Sequence, residues 1–144
     1  MIVYETIVTE VWKRLTQIQG VNRTDRNPDT DPEATDCPYV ALFELGEVTE
    51  GTQKRPGAKI YKKRMQIGVE AFVASSSAEA ASRDLSNWLE KVKGALNSAI
   101  SWPGGTSDLI EVEMTRVATL DAENHMKGRG VTYEIMYIEN TGNH

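Results

Sequence analysis

The 144-residue chain has one cysteine, Cys37, so no disulfide framework can form within it, and a reducing compartment is the expected setting. Histidine is almost as scarce, with only His125 and His144. Nucleophilic catalysis needs a nucleophile held beside a base. One histidine falls in an expected turn, the other is the last residue, and no signature joins either to Cys37, so the chain does not read as an enzyme. Long apolar runs are missing too. The opening MIVYETIVTEVWKRL is interrupted by Glu5 and Glu10, which argues against a signal peptide or a membrane span. Gly104-Gly105 and Gly128-Arg129-Gly130 each precede an expected strand rather than a helix, so no phosphate-binding loop is read there. Positive charge is in deficit: 16 Lys and Arg stand against 21 Asp and Glu, for a net charge of −5. A general nucleic-acid-binding surface carries the opposite balance.

What is present fits one ordinary domain over residues 1–144, with 40% hydrophobic and 26% charged residues. Val3, Ile7, Val11, Leu15 and Ile18, widened by Val8 and Trp12, mark an amphipathic first helix that Gly20 stops. Residues 20–38 are polar, hold three prolines and read as a long loop. Residues 39–46 read as a strand, 47–58 as a second long connection with a Pro56-Gly57 turn, and 59–74 as a long strand. Along that strand Tyr61, Met65, Ile67, Val69, Ala71 and Val73 share one face, and Lys62, Arg64, Gln66 and Glu70 the other. Its Lys59–Arg64 end is expected to project as one arm of a hairpin.

Ser76-Ser77-Ala78-Glu79 reads as a capping box that opens a second helix near 77–98, with Ala81, Leu85, Trp88, Leu89, Val92 and Leu96 as its stripe. Trp102-Pro103-Gly104-Gly105 ends it in a turn. Residues 109–120 alternate as a strand with Ile110, Val112 and Met114 inward. Residues 131–138 close the chain with Val131, Tyr133, Ile135 and Tyr137 on one face. The expected fold is therefore α+β: an antiparallel sheet of about four strands, two helices packed on one face, the order α-β-β-α-β-β, and a long β-hairpin extension.

Charge is segregated along the chain. Residues 54–64, KRPGAKIYKKR, hold six basic residues and no acid, whereas residues 20–50 hold eight acids against Arg23 and Arg26. The acids Asp25, Asp29, Asp31, Glu33 and Asp36 resemble the oxygen-rich part of a calcium loop, but the central glycine and closing glutamate are absent and prolines interrupt the run. No metal or cofactor is expected. Blocks of opposite sign invite head-to-tail pairing between copies. The candidate interface is Lys54, Arg55, Lys59, Tyr61, Lys62, Lys63 and Arg64 on one side, and Asp29, Asp31, Glu33 and Asp36 on the other. A nucleic-acid contact is the rival reading of the basic block, with Tyr61 its only interleaved aromatic.

The layout MIVYETIVTEVWKRLTQIQGV, then YVALFELGE, KKRMQIGVEAFV, AEAASRDLSNWLEKVKGAL and VTYEIMYI resembles the tail terminator family of long-tailed phages, the lambda-type minor tail protein U and its relatives. The resemblance covers nearly the whole chain and rests on pattern rather than a short motif. It implies a homohexameric ring in the virion, at the tail and neck, assembled in the host cytoplasm. That ring would cap the tail tube, end its polymerisation and face the head–tail connector, with genomic DNA passing through the lumen without specific binding. It implies partners in the tail tube and connector proteins, contacts through the 20–38 loop and the 47–58 region, and no catalytic residues. A head–tail connector or neck protein shares much of the layout, and a small binding module unrelated to phage is the alternative of another class.

Overall fold

The computed structural model describes residues 3–55, 58–97 and 110–140. Helix α1 spans Val3–Thr16 and helix α2 Ala78–Leu96. The strands are β1 (Arg23–Arg26), β2 (Tyr39–Arg55), β3 (Ala58–Ala74), β4 (Ile110–Met114), β5 (Ala118–Asp121) and β6 (Met126–Asn140). They form one six-stranded sheet in the order β1-β2-β3-β6-β4, with β5 also paired to β6. β1 runs parallel to β2, and the other pairings are antiparallel.

The expected antiparallel sheet of about four strands is therefore corrected to a mixed sheet of six, in the order α-β-β-β-α-β-β-β. Two strands were hidden. β1 lies inside the polar segment read as loop, where RTDR carries no apolar alternation. The expected 109–120 strand is two short edge strands, β4 and β5, both laid against β6. The 47–58 region is strand rather than connection, since β2 runs to Arg55 and β3 starts at Ala58.

Both helices pack on one face of the sheet. Ile7, Val8, Val11 and Leu15 of α1 and Ala81, Leu85, Trp88, Leu89, Val92 and Leu96 of α2 join Val40, Leu42, Met65, Ile67, Val69, Val131, Tyr133, Ile135 and Tyr137 in one core. Each element's apolar period puts its stripe toward this layer: 3.6 residues in the helices and two in the strands. Ser77, one residue after the expected cap, starts α2, and its side chain accepts from the Ala80 N–H at 3.1 Å. Gly20 takes φ +89 where the chain leaves α1, a backbone that suits glycine. Ile110 and Val112 are exposed rather than inward, because β4 is an edge strand with an irregularity between Glu111 and Glu113; only Met114 packs against the core.

Two charged clamps fix α1. Arg14 is buried and reaches Glu10 at 3.1 Å and the Leu96 carbonyl at 3.4 Å, which places a cation on the C-terminal end of α2. Arg26 on β1 donates to both oxygens of Glu5 on α1, at 2.9 and 3.0 Å, and to both of Glu44 on β2, at 3.1 Å each. Asn27 also donates to Glu44. The Arg26 hydrogen bonds hold both carboxyls below their usual range, and burial beside Glu44 pushes the Tyr4 hydroxyl up to about 12.

A smaller cluster of Tyr39, Ala41, Phe72 and Met126 lies on the opposite face, roofed by Ala34 and Cys37 around the 3₁₀ turn Ala34–Asp36. Gly128 makes room for it. A Cβ there would stand 2.5 Å from Phe72 Cδ1 and 3.2 Å from Leu120 Cδ1.

Gly128→Ala should therefore overpack this cluster and cost about 1–3 kcal/mol in urea unfolding, with partial recovery when Phe72→Leu is added. Arg26→Met should cost about 1–2 kcal/mol at pH 7. A carboxylate whose folded pKa is depressed stabilises above its unfolded pKa and stops doing so as pH falls through the folded value. The gap between wild type and variant should thus close on acidification below about pH 4. An unchanged gap at pH 3 would mean that Arg26 acts through packing alone.

Candidate assembly surface

β2, β3 and β6 continue past the helices as a three-stranded arm, and the turn expected at Pro56-Gly57 lies outside the described residues. Period-two alternation gives this arm two unlike faces. On the helix side Lys63 bridges its neighbours, 3.2 Å from Glu47 on β2 and 2.6 Å from Glu139 on β6. These carboxylates, Glu139 first, raise the Lys63 pKa. Its ammonium also lies 5.8 Å from the Tyr61 ring centroid. A charge ladder thus stands where the core would otherwise be.

The other face is apolar and open. Leu45, Val48 and Ile138 are 53%, 54% and 55% exposed. Register spreads them along this face: Leu45 leans over Gly68 at the inner end, Val48 stands opposite Arg64, and Ile138 stands opposite Lys62 on the other side of β3. Arg64 reaches Glu134 at 3.6 Å, while Lys62 is exposed and meets no acid among the described residues. Irregular register at Glu44/Gly46 and Thr49/Gly51, with Gly46 at φ +146, breaks the regular ladder along β2. Bulges of this kind twist an edge away from casual pairing. Beyond Leu42, no described strand pairs with the outer edge of β2.

The acids sit at the far end of the same open face. Arg23 neutralises Asp25 at 3.0 Å and Asp36 at 3.2 Å, and the Tyr39 hydroxyl donates to Asp25 at 2.8 Å. Asp29, Asp31 and Glu33 are exposed and pair with no cation among the described residues. Burial, and then the Asp31 charge, raise the Glu70 pKa. A cleft of about 680 Å³ opens beside this ledge, lined by Asp31, Glu33, Leu120, Asp121 and Met126 among others.

The expected interface residues fall as follows. Lys54, Arg55 and Lys59 lie on the arm strands with side chains outside the described set. Tyr61 and Lys63 are on the helix side, and Lys62 and Arg64 are on the open side. Asp29, Asp31 and Glu33 form the free part of the ledge, and Asp36 is held by Arg23. Sequence reasoning missed Leu45, Val48 and Ile138. Ile138 was detectable, because it is the one large aliphatic residue out of phase with Val131, Tyr133, Ile135 and Tyr137. Trp102 lies outside the described residues.

The catalytic and metal readings gain no geometry. Burial pushes the Cys37 thiol up to about 11, which keeps it protonated at neutral pH. His125 occupies a turn at φ +49. No group of three or more His, Cys, Asp or Glu among the described residues is placed to hold a metal. No described helix is long and apolar enough to cross a membrane.

No protein-family model and no curated protein matches the chain. Among solved structures, a chain from the virion of a native gene transfer agent (GTA) particle has a similar fold, with a TM-score of 0.61 at 13% identity. The match covers 96% of this chain and 98% of that one.

Lys63→Met should remove the ladder while leaving the core intact. Amide hydrogen exchange across Tyr61–Met65 should quicken about three- to fivefold, the scale of a partly exposed ion pair, with little change in Tm. Unchanged exchange would show that the backbone ladder alone orders the arm.

Proposed function

We propose that this chain is a structural protein of a phage-like particle and acts as a tail terminator. In this reading copies form a ring, six by the family resemblance, on the end of the tail tube. The ring stops further addition of tube subunits and offers its other side to the head–tail connector. The observation that carries the reading is the fold shared over nearly the full length of both chains with a component of a gene transfer agent virion. The surface supports it. A projecting arm with exposed aliphatic residues, and charges of opposite sign that are unpaired among the described residues at the two ends of the sheet, suit a subunit completed by its neighbours.

The decisive experiment removes the gene from the strain that makes the particle and images the products by electron microscopy. Tail tubes of uncontrolled length without heads are expected. Tails of normal length that fail to join heads would overturn termination and assign the chain to the neck. Normal particles would overturn both roles.

A further inference from the structure

Of the two open regions on the helix-free face, one is apolar with a free cation and the other is acidic with a cleft. They lie at opposite ends of the sheet. Lys62 and Phe72 are ten residues apart on β3, which at a strand's rise is roughly 33 Å. Phe72 underlies the 3₁₀ turn next to the acidic ledge. One molecule therefore cannot bring its own arm to its own ledge. A second copy can, and where the contact is not returned by the same neighbour, repeating it gives a heterologous, head-to-tail series, the arrangement a ring requires.

We propose that the arm's open face, formed by Leu45, Val48 and Ile138 with Lys62 beside them, packs onto the acidic ledge of a second copy at Asp31 and Glu33. This inference rests on the assembly reading and names its contact. Charge complementarity selects the occupant. The exposed aliphatic residues supply area to remove from water, Lys62 supplies a cation that meets no acid among the described residues, and the ledge supplies carboxylates that meet no cation among them. Leu120, exposed at the cleft, gives the aliphatic side chains an apolar point of contact. Burial first, and then the Asp31 charge, raise the Glu70 pKa, so a cation arriving beside Asp31 relieves a like-charge contact. Lys63 takes no part, because Glu47 and Glu139 occupy it on the other side of the sheet.

The test uses the full chain. Equal amounts of ¹⁴N- and ¹⁵N-labelled protein are mixed under conditions of self-association and treated with a zero-length carbodiimide cross-linker, which joins an amine to a carboxylate. The linked peptides are then identified by mass spectrometry. Mixed-isotope links between the Lys62 peptide and the peptide holding Asp31 and Glu33 are expected. In parallel, Val48→Asp with Ile138→Asp should weaken self-association at least tenfold while circular dichroism and Tm stay near wild type. Lys62→Glu should also weaken it, and adding Asp31→Lys should restore it. Links between copies at other places only, or wild-type assembly by both arm variants, would overturn the proposed contact and leave the ring reading standing. A wild-type chain that stays monomeric at every concentration would overturn the contact, and the tail-length experiment would then decide the terminator role by itself.

Discussion

A strand climbs more than twice as far per residue as a helix, and this mismatch shapes the molecule. β3 has 17 residues and spans roughly 56 Å, whereas α2, with 19 residues, spans roughly 28 Å. Two helices of this length cannot roof a sheet of this length. The half they cover has a conventional core from Met65 to Val73 on β3 and from Val131 to Tyr137 on β6. In the other half the same alternation continues with no described helix above it. Each face there has to be stable in another way, and the two faces use different means.

On the helix side the change from core to arm falls within one step of the strand. Met65 is fully buried, and Lys63, two residues earlier on the same face, bridges Glu47 and Glu139. A cation between two carboxylates on flanking strands replaces apolar packing with charge-assisted bonds that tolerate water. On the opposite face the aliphatic side chains stay exposed, and among the described residues none covers them. That asymmetry is the observation on which the proposed contact with a second copy rests.

The period of the apolar pattern was legible wherever a core existed to impose it. α1, α2, the inner half of β3 and the 131–138 part of β6 follow from spacing alone, because burial on one face writes itself into every second or every third to fourth residue, whereas the start of β6 at Met126–Gly130 reads as a turn. The elements that went unread lack that constraint. β1 is held by pairing beside β2 and by the Arg26 clamp, so RTDR shows no alternation. The end of β2 passes through Gly46, Gly51 and several charges, which read as a turn until the long pairing with β3 is known. The inward assignment of Ile110 and Val112 assumed a central strand, and β4 is an edge strand whose irregular register leaves both outside.

The charge pattern was visible in the sequence, but its meaning depended on the pleat. A run of basic residues counted along the chain looks like one patch, and a strand deals successive residues to opposite faces. KKR at 62–64 becomes Lys63 inside a ladder on one side, and Lys62 with Arg64 on the other, where Glu134 already answers Arg64. The acidic run divides in the same way, since Arg23 takes Asp25 and Asp36 and leaves Asp31 and Glu33. Among the described residues, self-pairing thus takes Lys63, Arg64, Asp25 and Asp36 out of the apparent charge separation, and Lys62 and the acids Asp29, Asp31 and Glu33 are left at the two ends of a single face. A residual pattern of that kind adds little attraction at long range, where salt screens it. Beside exposed aliphatic residues it gains a different role. The apolar contact supplies the affinity, and the remaining charges discriminate between registers and partners by making the wrong ones costly.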